Sequence, residues 1–222
     1  MKRILITGAA GSIGSALTYD LLKNDNGAIV CALDSSEDGL FRLRQNARSL
    51  GIDEKLRDFL GDIRDLERIK FAMDSCTDVY HCAALKHVHL SEYNPFEAIR
   101  TNIDGTNNIV QAALEGSVEK AIITSSDKAV NPTSMMGSTK LVAEKLFIAA
   151  NKYSVSKNKR FGVVRFGNVW NSNGSVGRIF LEQLKNGKDL TITDVNMSRF
   201  FITMDNAIQL CKYSISNMIG GE

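Results

Sequence analysis

An α/β fold built on a doubly wound parallel sheet is what this sequence predicts, and three observations predict it. Six short apolar, β-prone runs alternate with longer stretches along the first 166 positions. The first run ends in a glycine-bearing turn that opens a helix. The later runs end in small or ionisable residues, as expected where a parallel sheet gathers reactive groups at the carboxyl ends of its strands. Parallel strands need crossover connections, which the intervening helical stretches supply with a right-handed sense.

Composition sets the outer limits. A chain of 222 residues with 44% apolar and 23% charged residues is ordinary for a globular protein and long enough for one sizeable core, or one domain and part of another. A net charge of +2 gives no footing for nucleic acid or an anionic membrane surface. No apolar run approaches the roughly 20 residues of a membrane span. Lys2 and Arg3 precede a short apolar run, but Thr7 and Gly8 break it before a signal peptide can form. Cys31, Cys76, Cys82 and Cys211 lack metal-ligand spacing and a disulfide scaffold's density, so they read as small buried hydrophobes in a reducing compartment, the cytoplasm.

Residues 3–7 are the first strand. Gly8, Gly11, Ser12, Ile13 and Gly14 follow and open a helix reaching to about Lys23. Strand, glycine loop and helix make the Rossmann-type pattern for a dinucleotide: glycines admit the backbone to a pyrophosphate, and the helix N-terminus attracts its charge. Ordinary turns also use glycine. What adds weight is Asp34, about twenty residues on, closing a second strand at 28–33. A carboxylate there binds ribose hydroxyls and repels a 2′-phosphate, which favours NAD over NADP; Arg42 and Arg44 nearby complicate the choice. A third strand, 57–60, leads to Gly61, Asp62 and Ile63, a turn suited to border an adenine. A fourth, 78–81, ends at Cys82, Ala83 and Ala84, small residues that leave room for a flat cofactor or simply allow close packing. Lys86, His87 and His89 fall in a loop; with no third ligand at a suitable spacing, no metal is expected. Residues 95–115 read as one long helix with Asn102, Gly105 and Thr106 toward the sheet.

The fifth strand, 121–124, runs into Ser125, Ser126, Asp127 and Lys128, and a helix over 136–150 follows with Leu141, Lys145 and Ile148 on successive turns. A carboxylate beside an amine at a strand end can supply an acid and a base to one substrate, or can be a helix cap and a solvated ion pair. The sixth strand, 161–166, completes a dinucleotide domain over 1–166. Residues 167–222 form a smaller part: a polar loop holding Asn168 and Ser175, a helix over 177–186, a brief strand over 190–193, and a helix over about 205–218 expected to fold back on the first domain. Such irregular material suits a substrate lid and suits plain structural loops equally.

Several motifs then carry a resemblance. Thr7-Gly-Ala-Ala-Gly-Ser-Ile-Gly14 resembles the glycine motif of the extended short-chain dehydrogenases/reductases. His81-Cys-Ala-Ala-Leu-Lys-His-Val, Ser125-Ser-Asp-Lys-Ala-Val-Asn-Pro, Val164-Arg-Phe-Gly-Asn-Val and Ser198-Arg-Phe-Phe-Ile-Thr narrow it. Together they resemble the nucleotide-sugar 4,6-dehydratases of polysaccharide biosynthesis, which act on UDP-N-acetylglucosamine, through essentially the whole chain. The resemblance implies NAD lying on Gly8, Gly11, Ser12, Ile13, Gly14, Asp34, Asp62, Ile63, Ala83, Ala84, Lys86, Asn102 and Lys140, and a nucleotide sugar on Lys86, Asn168, Ser175, Val176 and Arg199. It implies oxidation at sugar carbon 4, removal of the carbon 5 proton by Lys128, protonation of the departing 6-hydroxyl by Asp127, and hydride return to carbon 6. Lys140 would bind the nicotinamide ribose, and Ser126 would hydrogen-bond the 4-oxygen. Arg199 would suit a diphosphate. Relatives often self-associate through helices on the sheet, so a homo-oligomer is implied.

The sequence departs from the family pattern in two ways. Met136 stands where the superfamily's YxxxK has tyrosine; some dehydratases of the family are similar in carrying methionine there, and because a thioether cannot ionise, Asp127 or Lys140 is expected to take the 4-hydroxyl proton. Tyr153 and Lys157 also spell YxxxK, at the wrong end of their helix for the site. The chain also stops short of the usual family length, which implies a truncated substrate-binding part. A 4-epimerase of the same superfamily and a catalytically silent NAD-binding scaffold stand as the alternatives.

Overall fold

The computed structural model describes residues 2–25, 27–154 and 158–222. From the amino end come β1 (Arg3–Thr7), α1 (Ser12–Asn24), β2 (Ile29–Asp34), α2 (Glu37–Ser49), β3 (Leu56–Leu60), α3 (Leu66–Met73) and β4 (Asp78–His81). After them run α4 (Val88–Tyr93), α5 (Pro95–Ile99), a π-helical turn (Arg100–Asp104), α6 (Gly105–Glu115), β5 (Lys120–Ser126), α7 (Met135–Tyr153) and β6 (Arg160–Phe166). The chain closes with β7 (Asn168–Val169), α8 (Val176–Lys185), β8 (Phe201–Ile202) and α9 (Met204–Asn217).

The first six strands form one sheet in the order β3-β2-β1-β4-β5-β6, every pair parallel. This is the doubly wound Rossmann-type fold. The two-residue side-chain period of β1 shows why both faces are covered. Ile4 and Ile6 enter a core shared with Leu17, Leu40 and Ile208 of α1, α2 and α9, whereas Leu5 enters the opposite core with Ile69, Ile109 and Phe147 of α3, α6 and α7. Strands buried on both faces read as unbroken apolar runs.

Local capping fixes where helices begin. Ser36, Asp65, Ser134 and Thr203 accept from the amides of Gly39, Arg68, Gly137 and Asn206 at 3.0–3.2 Å, satisfying donors that the helix itself cannot. Pro95 opens α5, where its missing amide costs nothing.

The structure corrects three expectations, on residues 190–193, on His89 and on the 95–115 helix. Residues 190–193 form no strand: Gln183 takes up the Thr191 amide and hydroxyl, and β7 pairs with β8 instead. His89 lies in the short helix α4, not in a loop. The 95–115 helix carries a π-helical turn at its centre. The buried face of α7 is Met136, Thr139, Lys140, Ala143, Glu144, Phe147 and Ala150, so Leu141, Lys145 and Ile148 flank it. Tyr153 is exposed at the last turn of α7, and Lys157 lies outside the described residues.

Candidate active site

β1 pairs with β2 on one side and β4 on the other, so the chain winds away in two directions from the β1–β4 seam. A crevice opens at such a switch point, beyond the carboxyl ends of the strands. Here it is a cleft of about 1010 Å³ whose walls include Gly8, Gly11, Asp34, Asp62, Ala83, Ser125, Lys140 and Ser175.

The β1–α1 turn is shaped to let a ligand close. Gly8 has φ +65°, and a side chain there would meet the Ala83 amide nitrogen at 2.7 Å. A Cβ at Gly14 would stand 2.2 Å from the Gly8 carbonyl oxygen, so only glycine lets α1 start this near the turn. No side chain caps the first amides of α1, which leaves Ser12 and Ile13 at the cleft wall with donors free for an anion. The two Asp34 carboxylate oxygens accept from the amides of Ala10 and Ser36, both at 2.9 Å, which fixes the carboxylate at the rim. Asp62 is held by Arg64, whose guanidinium keeps it below the usual carboxylate range despite partial burial. Ile63 packs so near Gly105 that a Cβ there would stand 2.6 Å from its Cδ1. Ser175 Oγ is buried, lines the cleft and has no hydrogen-bond partner among the described residues, whereas Ser125, also at the cleft wall, bonds the Glu144 carboxylate. Uncapped amides, an oriented carboxylate and an orphaned hydroxyl fit a dinucleotide with a second polar ligand beside it.

The candidate reactive groups, Asp127 and Lys128, stand at the end of β5. Lys128 Nζ lies 3.1 Å from Asp127 Oδ1 and 3.4 Å from Asn168 Oδ1, joining the sheet to β7. Ser126 Oγ donates to Asp127 at 2.8 Å and accepts from the Lys128 amide. Partial burial raises the Asp127 pKa, but the bonds from Ser126 and Lys128 outweigh it and hold the group below its ordinary value. One turn into α7, Lys140 is 7% exposed and donates to the Thr124 carbonyl at 2.6 Å. Burial pushes its pKa down to about 8, opposed by Cys82 and by Glu144, which is itself bound to Arg165. Met136 lies against the cleft on the same helix face.

The cleft therefore brings together the glycine turn, Asp34, Asp62, Ile63, Ala83, Ala84, Lys86, Ser126, Lys128, Met136, Lys140, Asn168, Ser175 and Val176. Asp127 and Arg199 line a second pocket of about 380 Å³, shared with Lys128, Ser198 and Phe200. Asn102 is set back from the wall and 1% exposed: its amide bonds the Leu85 amide and carbonyl and the Thr139 hydroxyl. Sequence reasoning gave no role to Ser125 or to Asn173. Ser125 was legible only as a neighbour of Asp127. Asn173, whose amide bonds Ser12 Oγ at 2.8 Å and whose carbonyl accepts from Lys86 at 2.6 Å, carries no local signal at all.

The family model described as polysaccharide biosynthesis protein matches residues 4–222. The chain belongs to that family. It is 46% identical over 221 residues to an uncharacterized membrane protein of Methanocaldococcus jannaschii and 42% identical over 224 residues to the inverting UDP-N-acetylglucosamine 4,6-dehydratase of Campylobacter jejuni; all of the chain is matched in each case, and 65% of each relative. A UDP-glucose 4-epimerase of Rickettsia bellii is 39% identical over 217 residues, 96% of the chain and 62% of the relative. Among solved structures, Pen from Bacillus thuringiensis superposes with a TM-score of 0.94 at 39% identity, over 99% of the chain and 67% of that structure. The polysaccharide biosynthesis fold here is that of the extended short-chain dehydrogenases/reductases, and this chain spans about 65% of the length of its first two relatives. No helix among the described residues is long and apolar enough to cross a membrane.

Proposed function

We propose that the protein takes part in 4,6-dehydration of a UDP-N-acetylhexosamine, UDP-N-acetylglucosamine foremost, with NAD as cofactor. The observation that carries this reading is the Asp127–Lys128 pair at the end of β5 with Met136, which cannot ionise, one turn before Lys140. Asp34, fixed by two amides at the rim, favours NAD over NADP by repelling a 2′-phosphate. When bound, the nicotinamide ring supplies reversible hydride acceptance, which couples oxidation at sugar carbon 4 to reduction at carbon 6.

The chain's own residues handle the protons. Asp127 is held ionised, so it starts as an acceptor and takes the 4-hydroxyl proton that no tyrosine is present to receive. Oxidation at carbon 4 acidifies carbon 5, and Lys128 serves as the base that removes that proton. Asp127 returns its proton to the departing 6-hydroxyl, and water leaves. Lys128 gives its proton back to carbon 5. The lost water thus consists of the 6-hydroxyl and the proton from the 4-hydroxyl, and both side chains end as they began. Lys140 orients the cofactor ribose, and Ser126 and Asn168 hold the pair in place. Lys86, Ser175, Val176 and Arg199 face the nucleotide sugar.

One other reading has specific support. The epimerase relative in Rickettsia favours 4-epimerisation, but that chemistry needs an efficient base for the 4-hydroxyl and no acid for the 6-hydroxyl, the reverse of Met136 with Asp127. The test is incubation with UDP-N-acetylglucosamine and NAD in deuterated water, followed by NMR of the sugar. A 6-deoxy-4-keto product with deuterium at carbon 5 is expected. A 4-epimer without deuterium at carbon 5 would replace dehydration by epimerisation. Cofactor binding with no product would leave either a substrate-binding part too short for turnover or a silent scaffold, and the same assay on a longer chain would separate the two.

A further inference from the structure

His81 closes β4, 1% exposed, and is absent from the chemistry above. Its ring stacks on Phe147 at 5.9 Å and lies between two threonine hydroxyls. Nδ1 is 2.6 Å from Thr7 Oγ1, and Nε2 is 3.1 Å from Thr106 Oγ1. The proton positions follow by elimination. Thr106 has a single hydroxyl proton, and it goes to the Asn102 carbonyl at 2.6 Å, an acceptor only. Thr106 must therefore accept from His81, which puts a proton on Nε2. The neutral ring then has a lone pair at Nδ1, so Thr7 donates to it, and the Thr7 oxygen accepts from the Ala83 amide at 3.3 Å. The chain of donors runs in one direction, from the Ala83 amide through Thr7, His81 and Thr106 to the Asn102 carbonyl. Burial, and after it the charge of Lys140, pushes the His81 pKa down to about 3, which keeps the ring neutral.

The chain ends on the residue that shapes the site. Asn102 sits in the π-helical turn, a feature often found at functional sites. Its amide holds the Leu85 amide and carbonyl at 2.8 and 3.0 Å, and it donates to Thr139 Oγ1 at 3.0 Å. The Thr139 hydroxyl in turn donates to the Met136 carbonyl at 2.9 Å. One hydrogen-bonded path thus joins both ends of the Ala83–Leu85 wall to the turn of α7 that bears Met136 and Lys140. Every side chain along it is buried. A buried polar network with every member satisfied is rigid and tolerates little rearrangement.

The geometry points to His81 as a positioning residue: as the neutral Nε2–H tautomer it sets the Ala83–Leu85 wall relative to Lys140, and thereby the cofactor relative to the Asp127–Lys128 pair. The second half of this assignment rests on the dehydratase reading; the first does not.

The test uses protein labelled with 15N-histidine and a pair of variants at Thr106. NMR of the imidazoles is expected to show one ring of the three histidines fixed as Nε2–H between about pH 5 and 8. The Nδ1–H tautomer, or titration of His81 in that range, would overturn the assignment. Thr106→Val removes the hydroxyl while keeping the shape, and Thr106→Ser keeps the hydroxyl. In Thr106→Val the amide signals of Ala83, Leu85 and Lys140 should shift together in the absence of substrate, and return in Thr106→Ser. Shifts confined to residues touching Thr106 would reduce His81 to local packing. In the dehydratase assay Thr106→Val should lose roughly 10- to 100-fold in kcat with KM nearly unchanged, and Thr106→Ser should recover most of it. Full kcat in Thr106→Val would overturn the catalytic half alone. A wild-type protein without turnover would fail the dehydratase reading, and the amide shifts would still decide the positioning.

Discussion

The sheet, residues 3–166, and the segment 167–203 use apolar side chains in opposite ways. In the sheet they fill two continuous cores, one on each face. In the segment only Val169 and Gly177 are buried, while Trp170, Ile179, Leu181, Leu184, Ile192, Val195, Phe200 and Phe201 are exposed. The segment is held instead by a few polar latches: Asn173 on Ser12 and Lys86, Asn168 on Lys128, and the two-residue β7–β8 pairing. The difference teaches where stability and chemistry separate. The sheet supplies rigid strand ends, and the segment adds polar groups across the cleft at little cost in packing. Elements that must yield to a ligand are drawn from the low-stability end of a structure.

Core truncation gives the sharpest break between the two regions. Phe147, 0% exposed and edge-on to Phe161 at 5.8 Å, should cost about 3–5 kcal/mol when replaced by alanine, read from denaturant unfolding. A loss under about 1 kcal/mol would mean that the α7 core is not what holds the sheet together.

At the end of β5, where the two regions meet, Asp127→Asn should lower turnover in the proposed dehydration roughly 10²- to 10⁴-fold with little change in the unfolding midpoint. Near-normal turnover in this variant would remove Asp127 from the mechanism, and a lowered midpoint would move the residue from chemistry into structure.

Lys140 gives a pH signature belonging to the sheet alone. Burial lowers its folded pKa from 10.5 to about 8. Between those values the unfolded chain holds a proton that the folded chain has released, so folding stability rises with pH there. Relative to Lys140→Met, the wild type should gain up to roughly 1.4 kcal/mol per pH unit across that window, and run parallel to it below about pH 8. Parallel curves through the whole range would show that Lys140 keeps its proton in the folded protein.

The smallest expected effect lies in the segment. Leu181→Ala in α8 should change stability by less than about 0.5 kcal/mol, since the side chain is 51% exposed. A loss approaching that of Phe147→Ala would place α8 in a shared core and erase the contrast.

Legibility in the sequence followed the same division. The central strands announced themselves, because a strand buried on both faces must be apolar throughout its length, as Leu5 and Ile6 are, whereas the edge strand β3 exposes Arg57 and Asp58. Residues 190–193 have the same β-prone composition, yet Gln183 claims their polar groups and no strand forms. Propensity without a partner does not make a sheet.

The sequence by itself determined the glycine turn, Asp34, the Asp127–Lys128 pair and Lys140, since each depends on local backbone chemistry at the end of a predictable strand or the start of a predictable helix. Only the tertiary structure decided how they meet. Asn102 reaches across to Leu85, His81 is fixed by threonines 74 residues before it and 25 after it in the chain, and Asn173 spans from Ser12 to Lys86. Hydrogen bonds between distant positions leave no periodicity and no local propensity, because their energy depends on where the packed sheet and helices place two groups, and not on what stands beside them in the chain.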